Sequence, residues 1–157
     1  MRADTLPLMF LTKISVTGKV HGYARELPVV RALAERPLEL DRVTILTGDN
    51  GSGKSTLVEA IAAAAGANAA GGSRSARFTA ADHSCLHASL TLTRLQNPRD
   101  VFFLRGETFF SLGEYHQSLG PEDPLAAIPK RSHGQGIMLL ARERLGPESL
   151  VILDEPE

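Results

Sequence analysis

The stretch Gly48-Asp49-Asn50-Gly51-Ser52-Gly53-Lys54-Ser55 constrains this chain more than any other feature. Its glycines, followed by a lysine and a hydroxyl residue, match the pattern G-x-x-x-x-G-K-[ST]. Glu39 to Leu46, just before it, is rich in β-branched residues and reads as a strand. Ser55 to about Ala65, just after it, reads as a helix, with Leu57, Val58 and Ile61 at helical spacing and alanine filling the remainder. Strand, glycine turn and helix in that order make a cradle for a triphosphate. Glycine lets the backbone turn tightly and approach an anion, and the free N–H groups of the following helix face it. The expected phosphate contacts are Gly48, Asn50, Gly51, Ser52 and Gly53 through the loop, with Lys54 reaching the β- and γ-phosphates. Ser55 would ligate Mg²⁺, and Thr56 would sit near the α-phosphate.

A second nucleotide feature closes the chain. Leu150 to Leu153 is an apolar strand running into Asp154 and Glu155. Ligands of parallel sheets bind at the carboxyl ends of strands. Asp154 is therefore placed beside the glycine loop as a holder of Mg²⁺, and Glu155 as the general base that polarises an attacking water. Two adjacent acids at such a place call for a cation.

Composition narrows the class. The 157 residues suit one domain with a real core, and 43% hydrophobic against 22% charged residues excludes a disordered chain. The formal net charge of −1 gives no overall attraction for nucleic acid, so a DNA or RNA partner has no support beyond a local patch. The single cysteine, Cys85, cannot form an internal disulfide and fits a reducing cytoplasm. Leu6 to Leu11 is too short for a signal core, and no apolar run reaches membrane length.

The remaining elements are expected as follows. Lys13 to Val20 forms a strand with a bend at Gly18. Leu27 to Glu35 forms a short helix stopped by Pro37. Gly66 to Ser75 is a mobile loop of small residues. Ala88 to Thr93 and Val101 to Leu104 form strands, and Phe109 to Leu119 and Gly136 to Leu145 form helices. The expected fold class is α/β, a phosphate-loop sheet with a small helical insert from about 97 to 145, forming one domain over 1–157.

These motifs resemble those of the ABC-type ATPases, including the non-transporter branch with RecF-like and SMC-like heads. Thr47 to Leu57 is similar to their phosphate loop, and Ile152 to Glu157 to their second nucleotide motif. Ser132-His133-Gly134-Gln135-Gly136 is similar to their Ser-Gly-Gly-Gln signature. Phe102 to Glu107 together with Ser132 to Gly134 resembles a group of small, soluble bacterial AAA/ABC-like predicted ATPases, in which glutamate is expected where Gln135 stands. The resemblance covers roughly residues 13 to 157. It implies Mg-dependent ATP binding and hydrolysis. It also implies a homodimer in which Ser132 and Gly134 contact the γ-phosphate of the second protomer, with Gln135 holding that turn.

Two departures matter. The segment between the nucleotide motifs lacks sustained heptads, so no long coiled-coil arm is expected. The family continues beyond Asp154-Glu155 with a partner-contacting segment, another strand and a histidine. The resemblance therefore implies a chain truncated at its C-terminus, with turnover more affected than binding and some sheet surface left uncovered. Alternative functions are an ATP-gated head in genome maintenance, a non-hydrolysing nucleotide-binding fragment and a transporter's ATPase subunit.

Weaker signals remain open. Tyr23 stands where this family often stacks an aromatic on adenine. Glu107, with Arg105 beside it, and Gln96 compete for the place that senses metal and water. His83, Cys85 and His87 share a strand parity but lack a fourth ligand for zinc. The phenylalanines at 102, 103, 109 and 110 are expected in the core.

Overall fold

The computed structural model describes residues 8–67, 72–73, 85–106 and 109–155. Two small sheets share one helix. In the first, β1 (Leu11–Val16) lies between β2 (Leu38–Glu39) and β4 (Leu90–Arg94), antiparallel to both. In the second, β5 (Asp100–Arg105) lies between β3 (Gly72–Ser73), antiparallel, and β6 (Ser149–Asp154), parallel.

A register shift between Leu11 and Lys13 bulges β1. The extra residue lets Leu11 and Ile14, of opposite parity, both turn inward. The strand begins two residues before its sequence-based start and stops at Val16. Gly18 then bends the chain against Ser89, and the N–H groups of Thr17 and Gly18 both donate to the Ser89 carbonyl.

Helix α1 (Pro28–Glu35) carries proline in its first turn and ends before Pro37, as proline chemistry dictates. Helix α2 (Lys54–Ala65) is the joint of the molecule. Its Leu57 and Ile61 pack with Leu11, Ile14 and Leu33 on one side, and Leu150 and Ile152 of β6 join the same cluster. Its Ala60 packs with Ala24, Val30 and Leu86. The small alanine side chains let both sheets approach the helix closely. Gly66, at φ 98°, ends α2 with its N–H on the Ala62 and Ala63 carbonyls.

Val101 to Leu104 are all buried, so β5 is covered on both faces. Phe102 and Leu104 face a separate cluster built with Phe109 and Leu112 of α3 (Phe109–Ser118), Leu125, Ile128 and Leu140 of α4 (His133–Arg144). Each such side chain contributes about 1.5–3 kcal/mol by leaving water. The phenylalanines 102, 103 and 109 are core, as expected, while Phe110 is half exposed.

Four expectations are corrected. The strand over Glu39–Leu46 shrinks to Leu38–Glu39, and Val43 and Ile45 are 71% and 79% exposed. A local turn competes with pairing there: Thr44 Oγ1 accepts from Asp41 N and donates to Asp41 O, and Arg42 N donates to Asp41 Oδ1. The phosphate loop therefore does not follow a sheet strand. Cys85–Ser89 forms a 3-10 helix in place of the first part of the strand at Ala88, which removes the shared strand face proposed for Cys85 and His87. The expected loop from Gly66 to Ser75 includes a paired segment, Gly72–Ser73, and otherwise lies outside the described residues beyond Ala67. Helix α4 starts at His133, three residues before Gly136. His83 and Glu107 lie outside the described residues.

Candidate functional site

The loop's shape follows from its glycines. Gly51 and Gly53 have φ of 79° and 95°, in the left-handed region that side chains other than glycine's rarely enter. The Ser52 N–H donates to the Asp49 carbonyl, tightening the turn, and the Ser52 carbonyl accepts from Val29 N at 3.2 Å. That bond ties the loop to the start of α1. The tie leaves no space at Gly53: a Cβ there would stand 2.9 Å from Val29 Cγ1 and 3.0 Å from Leu27 Cβ. Leu27 and Val29 thus brace the loop, a role with no motif to announce it in the sequence.

Gly53 caps α2 without a side-chain hydrogen bond. The first-turn N–H groups of an α-helix have no intrahelical acceptor, so this helix start presents donors and a partial positive charge. Lys54 Nζ donates to the carbonyls of Gly48 and Asp49, at 2.8 Å each. The loop holds its own lysine by neutral carbonyls, which an anionic phosphate would readily replace as partner. Gly48 and Asn50 are exposed, and Ser55 and Thr56 half-buried, at the same end of α2.

Asp154 ends β6 and is buried, while Glu155 is exposed. Glu155 is left-handed, with φ 48°, which breaks the alternation of β6 and turns the glutamate out of the strand. The Asp154 carbonyl accepts from Gly106 N at 3.0 Å. Arg105 joins the acidic end to α2: its Nη1 donates to Glu59 Oε2 at 2.9 Å, and its Nε lies 3.6 Å from Asp154 Oδ2. Glu59 follows Ser55 by four residues, on the same face of α2. The phosphate-loop helix and the acidic strand end are therefore brought together through one arginine. Glu59 escaped the sequence analysis, and its spacing from Ser55 was the available signal.

The donors suit Mg²⁺. Ser55 and Asp154 offer hard oxygens, as this ion requires. No group of three or more His, Cys, Asp or Glu residues among the described residues forms a cage of its own. A magnesium ion held by one carboxylate, a hydroxyl and the ligand's phosphates fits that pattern.

The Ser132 to Gly136 segment forms the start of α4. Ser132 is the N-cap of α4 in a capping box: its hydroxyl accepts from Gln135 N, and its own N–H donates to Gln135 Oε1. The His133 ring packs edge-on against Phe109, at 4.8 Å between centroids. Gly136 is buried on Phe109, whereas Gly134 has open space around it. Tyr23, on the 3-10 helix Gly22–Glu26, is 63% exposed. Gln96 sits in the bend after β4, in the sheet that lacks Asp154.

A family model described as an AAA domain matches residues 30–103, which contain the whole phosphate loop and α2. The match supports a P-loop ATPase-like family, and with it nucleotide binding and ATPase activity in the coarse sense. No curated protein and no solved structure matches the chain. No helix among the described residues is long and apolar enough to cross a membrane.

Proposed function

We propose that this chain binds Mg-ATP and hydrolyses it as a cytoplasmic ATPase of the ABC type. The observation that carries the reading is the left-handed pair Gly51 and Gly53 running into the start of α2, where no side chain hydrogen-bonds at the cap. The loop amides from Gly48 to Gly53 and the Lys54 ammonium stabilise negative charge on the phosphates. Ser55 and Asp154 would hold the metal, which would supply positive charge to neutralise the phosphates. Glu155, exposed beside buried Asp154, takes a proton from the attacking water. Tyr23 stacks on the base, and Ser132, Gly134 and Gln135 close on the nucleotide of a second copy. The helical insert from about 97 to 145 carries that segment within a single domain over 1–157.

The test compares Mg-ATP binding and turnover of the wild type with Lys54→Ala and Glu155→Gln. Lys54→Ala is expected to weaken binding at least about tenfold, and Glu155→Gln to bind normally while slowing turnover on the order of a hundredfold. Binding without turnover in the wild type selects the non-hydrolysing alternative. Wild-type binding by a folded Lys54→Ala protein, checked by circular dichroism, overturns the phosphate-loop reading.

A further inference from the structure

Two carboxylates and one guanidinium meet where β5 and β6 end beside α2. The side chains of Arg105, Glu59 and Asp154 are only 16%, 13% and 10% exposed, so salt and water screen them weakly. Arg105 and Glu59 have further interactions as well. The two contacts of Arg105 differ in kind. The 2.9 Å contact to Glu59 is a charge-assisted hydrogen bond, while the 3.6 Å contact to Asp154 is an ion pair beyond hydrogen-bond range.

Within this trio, one positive charge faces two negative charges. Asp154 has the weaker hold on the guanidinium and is the less compensated carboxylate. A divalent cation approaching Asp154 is attracted by it and repels Arg105. The arginine yields first on its weaker side and keeps Glu59.

We propose that Arg105 is a positioning residue, the counter-ion that holds Asp154 until Mg²⁺ arrives with the nucleotide, and that Glu59 sets how readily it yields. The proposal rests on the Mg-ATP reading above. It predicts opposite signs for two charge deletions. Arg105→Gln removes a cation that competes with the metal, so Mg²⁺ binds more tightly. Glu59→Gln removes the carboxylate that competes with Asp154 for Arg105, so the guanidinium leans more on Asp154 and Mg²⁺ binds more weakly. A merely structural ion pair would lower the melting temperature in both variants and leave the Mg²⁺ dependence unchanged.

The experiment titrates Mg²⁺ against a fixed concentration of a fluorescent ATP analogue and, separately, follows the melting temperature against Mg²⁺. Wild type, Arg105→Gln, Glu59→Gln and Asp154→Asn are compared. The Mg²⁺ midpoint is expected to fall about three- to tenfold in Arg105→Gln and to rise by a similar factor in Glu59→Gln. Arg105→Gln melts lower without metal and recovers more than wild type as Mg²⁺ is added, and Asp154→Asn loses the Mg²⁺ response. Unchanged midpoints, or midpoints that move in the same direction in the two variants, overturn the proposal while wild type and Asp154→Asn still differ. If Asp154→Asn responds to Mg²⁺ as wild type does, or neither responds, the metal-site reading itself fails and the proposal with it. If Arg105→Gln does not fold, Glu59→Gln decides alone, and an unchanged or lower midpoint overturns the proposal.

Discussion

Gly106 lies so close to Glu155 that a Cβ at position 106 would stand 2.5 Å from the Glu155 carbonyl oxygen. The obstructing atom is backbone, at a residue already held left-handed, so it cannot turn aside as a flexible side chain would. Gly106→Ala is therefore expected to cost about 1–3 kcal/mol through overpacking. A urea unfolding curve checks this. An unchanged midpoint would show that the two strand ends are not held in this register.

Gly53 is tested by the same substitution for two reasons that act together. Its left-handed backbone disfavours a side chain by about 1–2 kcal/mol, and Val29 and Leu27 occupy the space a methyl would need. Gly53→Ala is expected to melt several degrees below wild type and to bind a fluorescent ATP analogue at least about tenfold more weakly. Normal binding with lowered stability would remove the loop from the binding site.

The Ser132 to Gly136 segment allows folding to be separated from function. Ser132→Ala removes a helix cap and is expected to cost about 1 kcal/mol in urea unfolding. Gly134→Ala meets nothing within 4 Å, and alanine favours a helix, so stability is expected to hold or rise by up to about 1 kcal/mol. If the segment closes on a second copy's nucleotide, Gly134→Ala nevertheless loses ATP-dependent dimerisation, measured by light scattering with Glu155→Gln as background. Undiminished dimerisation in that protein would leave Ser132 a cap and nothing more.

An acid-sensitive pair joins α3 to the segment that follows it. His116 Nδ1 lies 3.0 Å from Asp123 Oδ2, and Leu125 N donates to Asp123 Oδ1 at 2.8 Å. Burial acts to raise the Asp123 pKa, but the hydrogen bonds from His116 and Leu125 outweigh it and hold the carboxyl below its ordinary range. A depressed folded pKa stabilises the native state above the unfolded value, and that contribution is lost as pH falls through the folded one. Stability is thus expected to decline below about pH 4, the ordinary aspartate range. Asp123→Asn should show a shallower decline in urea unfolding from pH 6 to pH 3. An identical slope would exclude Asp123 as a source of the acid sensitivity.

Much of the local structure was legible. Pro28 and Pro37 bracket α1, the alanine run marks α2, and the apolar run from Val101 to Leu104 marks a strand covered on both faces. The errors fall where two local preferences compete. Val43 and Ile45 favour a strand, but Asp41 and Thr44 satisfy the backbone in a turn, and no described strand lies alongside to outweigh it. The apolar spacing places the start of the last helix at Gly136, yet the Ser132–Gln135 capping box begins α4 at His133.

By itself the sequence determined the features that depend on a few consecutive residues: the left-handed glycines of the loop, the lysine and hydroxyl after them, and an apolar strand ending in two acids. Backbone preferences and side-chain periodicity act over such short spans, so they can be read along the chain. Only the tertiary structure decided that Arg105 would meet Glu59, 46 positions away, and stand beside Asp154. It also decided that Leu27 and Val29 would brace Gly53 and that Gly106 would press on Glu155. The first contact arises because α2 packs beside β5 and β6, the second because α1 starts against the loop, and the third because β5 and β6 pair in parallel. Packing between distant segments leaves no periodic mark in the sequence.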